Sequence, residues 1–138
     1  MDKQFTKEEV ADKVLEQYDE EITRVFYQCV MGGGGHDIHF GIYKNPEDGV
    51  KESSAYTTEW MMTQMDWAKT IKPDMHVLDL GSGHGGGSHA MAQRFGCQVT
   101  GYNLGPAQHA LHMERSVELG IPHLGDAQAG NAPHRVHS

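Results

Sequence analysis

The 138-residue sequence has few of the residues that would indicate a disulfide-stabilised, nucleic-acid-binding or membrane-spanning protein. Its two cysteines, Cys29 and Cys97, lie in apolar segments, which favours a reduced protein over a disulfide scaffold. Its 11 lysines and arginines form no cluster and are outnumbered by 19 acidic residues, so we expect no nucleic-acid partner. No apolar run approaches the ~20 residues of a membrane span. The N-terminus does not resemble a signal peptide, and we expect one cytoplasmic domain.

Glycine, by contrast, is abundant, with 17 residues concentrated in two clusters that we interpret as functional loops. The second cluster follows an apolar run, residues 75–80, which contains Asp79. A helical pattern over about residues 88–95 comes next. This order predicts a buried strand, a tight turn and a helix N-terminus. The glycines permit positive φ and a close approach of the backbone to a ligand, to which the helix start offers free N–H groups.

The segment VLDLGSGHGG, residues 77–86, resembles the first motif of the S-adenosylmethionine (SAM) dependent methyltransferases with a Rossmann-like fold. In that family the turn packs against the methionine part of SAM, and the acid at the strand end supports the loop and the ligand's amino group. The resemblance implies SAM as the cofactor. A generic strand–glycine–helix turn is the alternative, and the looser dinucleotide fingerprint G-x-G-x-x-G also fits. The cofactor-binding residues implied in this turn are Asp79, Gly81, Ser82, Gly83, Gly85 and Gly86.

A second parallel strand is predicted over residues 98–103, ending at Asn103. Rossmann-like sites place a ribose-binding residue about 20 residues beyond the glycines, and an amide can bond ribose hydroxyls as donor and acceptor. The sarcosine and dimethylglycine N-methyltransferases, which form glycine betaine, resemble this chain in having Asn followed by a Leu/Ile, Pro and Gln pattern. The resemblance implies that Asn103, Leu104 and Gln108 also bind the cofactor.

Residues 1–74 are predicted to form helices and a lid. Thr6 and Glu9 fit a capping box, and apolar residues at helical spacing predict one long helix, or two with a break near Asp19. Four glycines then rule out helix. The pattern of Phe26-Tyr27, two glycines and then Asp37-Ile38-His39-x-Gly41-x-Tyr43 resembles the N-terminal lid of the same N-methyltransferases, and tocopherol-type methyltransferases have a related segment. A flexible linker before an ordinary turn is the alternative. The candidate substrate or lid residues are Tyr27, His36, His39, Tyr43 and Trp60.

We therefore expect an α/β fold, with a helical and lid segment over residues 1–74 and the N-terminal half of a Rossmann-like domain, a βαβα half-sheet, over residues 75–122. A third helix, capped by Ser53 or Ser54, is expected to reach about Thr70. Residues 123–138 have no strand or helix period and read as a disordered tail. The expected third strand is thus missing or reduced to residues 125–126, and the second half of the fold is absent.

Two histidines, His109 and His112, lie three apart on a helix predicted from Pro106 to about Leu119. A metal site is conceivable, but no cysteine or acidic motif completes it. We interpret both as surface histidines and expect no bound metal.

The resemblance implies methyl transfer from SAM to a small amine such as sarcosine or dimethylglycine. Aromatic faces of Tyr27, Tyr43 and Trp60 could stabilise the cationic product, and His36 or His39 could bind the substrate carboxylate. No residue is identifiable as a catalytic base. One alternative is another small-molecule or lipid acceptor. Another is an inactive truncated paralogue or interaction module, which could self-associate through an exposed sheet edge.

Overall fold

The computed structural model describes residues 5–18, 20–121 and 125–129, which form an α/β fold. In chain order the elements are α1 (Lys7–Tyr18), α2 (Glu21–Val30), α3 (Val50–Gln64), a 3₁₀ helix (Asp66–Thr70), β1 (His76–Leu80), α4 (Gly86–Phe95), β2 (Gln98–Asn103), α5 (Pro106–Glu118) and β3 (Gly125–Ala129). The strands form a parallel sheet in the order β1-β2-β3. Parallel neighbours need a crossover connection, which α4 and α5 supply.

The N-terminal segment forms two helices, as the second of the two sequence alternatives predicted. The capping box is present, because the Glu9 N–H donates to Thr6 Oγ1 at 3.1 Å and the Thr6 N–H donates to Glu9 Oε2 at 2.8 Å. Residue 19, near which the break was predicted, lies outside the described part of the chain.

Helix α3 begins at Val50, so the prediction that Ser53 or Ser54 caps it was wrong. Both serines are fully buried. Ser53 Oγ donates to the Val50 carbonyl, and Ser54 Oγ lies 3.1 and 2.7 Å from the carbonyl oxygens of Met31 and His39, either of which can accept its proton. The Ser54 hydroxyl therefore anchors the segment before α3 to the helix.

The apolar core lies between β2 and α4. Ala92, Cys97 and Val99 are buried there, since β2 is the central strand. Partly buried apolar residues complete this cluster: Ile71, Val77, Met91, Phe95 and Ile121. Both cysteines are free thiols, Cys97 buried and Cys29 exposed.

Strand β3 overturns part of the prediction for residues 123–138. Residues 125–129 pair in parallel with β2, from Val99↔Gly125 to Asn103↔Ala129. The small and polar residues 125–129 give no sequence signal that would indicate a strand. The strand still forms because its pairing uses backbone hydrogen bonds, which small and polar residues can also make. The remaining residues of the predicted tail lie outside the described chain.

Strand β1 occupies one edge of the sheet. Its alternate side chains Leu78 and Leu80 are 53% and 64% exposed, so the face of the sheet that they share is open at this edge. Among the residues that the structure describes, no helix combines the length and the apolar character needed to cross a bilayer.

Candidate active site

A cavity of about 430 Å³ lies at the carboxyl ends of β1 and β2, between the glycine turn and the segment before α3. Its size falls within the range of small-molecule sites, about 300–1,000 Å³. Eleven of the predicted site residues line it: Asp79, Gly81, Ser82, Gly83, Gly86, Asn103, Leu104, Gln108, Tyr27, His36 and His39.

The glycine turn leaves open space on its cavity side. Gly81 and Gly83 have φ of 80° and 55°, and a Cβ added to either would meet no protein atom within 4 Å. The Gly81 and Ser82 N–H groups both donate to the Tyr102 carbonyl, at 2.8 and 3.2 Å, which fixes the turn on β2. The turn therefore offers a rigid backbone surface that a ligand can approach closely.

Two further glycines of the motif pack against protein. A Cβ on Gly86 would lie 2.7 Å from the His36 carbonyl oxygen and 2.8 Å from Asp37 Oδ1, so Gly86 lets the lid close onto the start of α4. A Cβ on Gly85 would lie 2.6 Å from His112 Cδ2. Gly85 does not line the cavity, and its prediction as a cofactor contact is not supported because the histidine ring occupies its open side.

Polar side chains at the strand ends are held by hydrogen bonds. Ser88 Oγ donates to Asp79 Oδ2 at 2.6 Å, which fixes the carboxylate at the end of β1. At the end of β2, Asn103 Nδ2 donates to Gln108 Oε1 on α5. The predicted acid and amide thus both face the cavity from neighbouring strands.

The segment after the four glycines is fixed to α3 and is not a flexible linker. Thr58 Oγ1 donates to Asp37 Oδ1 at 2.6 Å and lies 3.0 Å from His39 Nε2. His39 Nε2 lies 4.0 Å from Asp37 Oδ1. This network places His39 on the cavity wall.

Tyr43 and Trp60 are not brought to the cavity. Tyr43 is 55% exposed and Trp60 is 37% exposed, and neither is among the lining residues. On α3 the cavity is lined by Thr58 and Met61, three positions apart on one face, whereas Trp60 projects from another. The prediction for these two aromatic residues is therefore not supported.

The cavity residues that the sequence prediction did not assign include Arg24 and His84. His84 is 2% exposed, and neither ring nitrogen has a hydrogen-bond partner among the described residues. Burial, with smaller effects of the Arg24 and His36 charges, lowers the His84 pKa to about 4. Burial, followed by the charge of Arg115, lowers the His36 pKa. The only sequence signal for Arg24 was its position three residues before Tyr27 on α2.

His112 is fully buried, so its interpretation as a surface histidine was wrong. Its ring fills the space above Gly85 and Gly101, where an added Cβ would lie within 2.6 and 2.7 Å of ring carbons. It meets the His89 ring edge-on at 4.6 Å between centroids. Within the described chain no three His, Cys, Asp or Glu side chains are grouped so that they could hold a metal ion.

Comparisons with known proteins identify methyltransferases as relatives, although no family model matches the chain. It is 30% identical over 117 residues to the sarcosine/dimethylglycine N-methyltransferase of Halorhodospira halochloris, a match that covers 85% of this chain and 40% of that protein. A sarcosine dimethylglycine methyltransferase structure from Galdieria sulphuraria matches with a TM-score of 0.69 and 30% identity, covering 83% of this chain and 42% of that one.

A further solved structure is geranyl diphosphate methyltransferase in complex with SAM, which matches with a TM-score of 0.56 and 28% identity over 67% of this chain and 43% of that one. The predicted fold class is thereby confirmed: the chain has the α/β fold of the SAM-dependent methyltransferases. It spans about 40% of the length of the curated relative and of these two structures.

Proposed function

We propose, from the premise that this chain is a homologue of the SAM-dependent methyltransferases, that it binds SAM and takes part in methyl transfer to a small amine such as sarcosine or dimethylglycine. The observation that carries this proposal is the open glycine turn. Gly81 and Gly83 have positive φ, and the space that their missing side chains leave belongs to a cavity of ligand size.

The residues around this turn fit the cofactor. Gly81 and Gly83 would accept close contact with its amino-acid end, and the Asp79 carboxylate would accept hydrogen bonds from its ammonium group. Asn103, already held by Gln108, would bond the ribose hydroxyls. When bound, SAM would supply a methyl group that is activated by the positively charged sulfur to which it is bonded.

The lid residues would orient the acceptor. Transfer needs the amine nitrogen in line with the reacting methyl group, so positioning dominates the catalytic demand. Tyr27 lines the cavity and offers an aromatic face to the cationic product. His39, fixed through Thr58, presents a polar edge on the same side.

Calorimetric titration tests the cofactor site. The chain should bind S-adenosylhomocysteine (SAH), and Asn103→Ala should weaken binding by roughly 0.5–1.5 kcal/mol, the net value of a hydrogen bond. Gln98→Ala, at the opposite, exposed end of β2, is the control and should bind like the parent. Equal affinity of Asn103→Ala and the parent would contradict the assignment of Asn103.

The acceptor is tested by methyl transfer from radiolabelled SAM. We expect labelling of sarcosine or dimethylglycine. A second candidate is an apolar acceptor, because Val14, Leu15, Ile38 and Met61 also line the cavity. Labelling of a prenyl diphosphate, with none of the amines, would favour that candidate and contradict the amine assignment.

We also propose that the chain self-associates through β1. The strand lies at a sheet edge, and Leu78 and Leu80 are more than half exposed. Parallel sheets are ordinarily covered on both faces, and a strand edge that has no partner among the described residues favours pairing with another chain.

A further inference from the structure

We infer that Arg24 and His84 form a carboxylate-binding subsite in the cavity, an assignment that deepens the proposed function and rests on it. The first residue reaches the cavity from α2, and the second from the glycine turn. The sequence motifs assign no role to either.

His84 is the more unusual of the two. Its side chain is almost completely buried, yet neither Nδ1 nor Nε2 has a hydrogen-bond partner among the described residues. A buried polar group without a partner costs free energy, and such groups are rare in folded proteins. Since His84 belongs to the cavity lining, we infer that a bound ligand supplies the missing partner.

Arg24 supplies the charge. Arg24 lines the same cavity, and its guanidinium takes part in none of the ion pairs found within the described chain. It lies close enough to His84 for its charge to contribute to the lowered pKa of that ring. A neutral imidazole N–H and a guanidinium fork together offer donors suited to the two oxygens of a carboxylate.

The acidic residues of the cavity do not neutralise this pair. Asp79 accepts a hydrogen bond from Ser88, and Asp37 accepts one from Thr58. Neither carboxylate forms an ion pair with Arg24 among the described residues. The guanidinium is therefore available to pair with a negatively charged group of a ligand.

The ligand chemistry is a carboxylate, and two molecules of the proposed reaction carry one: the amino-acid end of SAM, and an acceptor such as dimethylglycine. Matched ligands separate these sources. 5′-Methylthioadenosine is the nucleoside of SAH without the amino-acid end, and dimethylaminoethanol is dimethylglycine with a hydroxymethyl group in place of the carboxylate.

The test is calorimetric titration of the 138-residue chain and its variants at pH 7 with these four ligands, the two amines being added at saturating SAH. The variants are Arg24→Gln, Arg24→Lys and His84→Phe. Arg94→Gln, an exposed arginine outside the cavity lining, is the control for loss of one positive charge. Circular dichroism and binding of 5′-methylthioadenosine show that each variant is folded.

We expect Arg24→Gln to weaken binding of one carboxylate ligand by at least about tenfold, or about 1.4 kcal/mol, and to leave its carboxylate-free counterpart within about twofold. His84→Phe should affect the same ligand, and Arg24→Lys should fall between Gln and the parent. A selective loss for SAH assigns the subsite to the cofactor, and one for dimethylglycine assigns it to the acceptor.

Three results would overturn the subsite while leaving the proposed function intact. They are an equal loss of affinity for a carboxylate ligand and its carboxylate-free counterpart, no loss of affinity in Arg24→Gln, and the same loss in Arg94→Gln. If the parent chain binds neither SAH nor 5′-methylthioadenosine, the proposed function fails, and the subsite fails with it.

Discussion

At the residue scale, glycines of one motif have different physical purposes. Gly81 and Gly83 leave space for a ligand, Gly86 admits the lid, and Gly85 admits the His112 ring. A substitution should therefore affect ligand binding at the first pair and folding at Gly85, where the added carbon would collide with a buried ring.

Gly83→Ala should abolish or weaken SAH binding by at least about tenfold while costing about 1–2 kcal/mol of stability, the usual penalty for a side chain at positive φ. Gly120→Ala is the matched control, because Gly120 has a φ of 68° and equally open space but lies outside the cavity lining. Titration and thermal melts measure both quantities. Unchanged SAH affinity in Gly83→Ala would refute the turn as the cofactor site.

Acid should destabilise the fold through two buried histidines. Burial lowers the pKa of His84 to about 4, and burial with the neighbouring His112 charge lowers that of His89 to about 4, from 6.5. As the pH falls from about 6.5 to 4, these two histidines become protonated in the unfolded chain but stay neutral in the folded chain. Proton binding therefore favours the unfolded state, and the free energy of unfolding decreases. Urea unfolding across this interval should show it.

In that experiment His84→Phe should make the free energy of unfolding depend less steeply on pH than in the parent. Replacement of the exposed His76 by Gln is the control and should leave a steeper dependence than His84→Phe. A free energy of unfolding that stays constant between pH 6.5 and 4.5 in the parent would contradict neutral burial of these histidines.

At the element scale, the edge strand β1 should govern association. Size-exclusion chromatography over a range of concentrations should show the parent as larger than a monomer, and Leu78→Lys with Leu80→Lys should return it to monomer, because lysines block edge pairing. Val117→Lys changes a 68% exposed residue on α5 and is the control. A parent that is monomeric at every concentration would refute association through β1.

At the scale of the whole molecule, this chain by itself should be a poor catalyst even when it binds SAH. Leu78 and Leu80 are exposed on β1, so water reaches the strand that ends at the glycine turn, and the small buried core should hold the lid and turn less rigidly than in-line transfer demands.

The catalytic rate of the chain by itself is measured by the transfer of radiolabelled methyl groups from SAM to dimethylglycine. We expect a rate well below ~1 s⁻¹, the lower end of ordinary enzymes. The longer relative from Halorhodospira halochloris, assayed in parallel, is the control for the assay. A rate of ~1 s⁻¹ or more for the 138-residue chain would contradict the prediction.

The parts of the fold that could be predicted were those specified by neighbouring residues. The apolar run 75–80 placed β1 to within one residue, β2 was predicted at its observed bounds, and the capping box placed the start of α1, because strand patterns and capping act over a few positions. Strand β3 could not be found in this way, since its small and polar residues carry no periodic signal.

The sequence by itself determined the glycine turn, the acid before it and the amide at the end of the next strand, because backbone conformation there depends on residues that are close in the chain. Only the tertiary structure decided that Thr58 holds Asp37 across 21 positions, that His112 fills the space above two glycines, and that Arg24 reaches the cavity beside His84. Burial and hydrogen bonding between distant segments arise from packing, and no local pattern encodes which residues packing brings together.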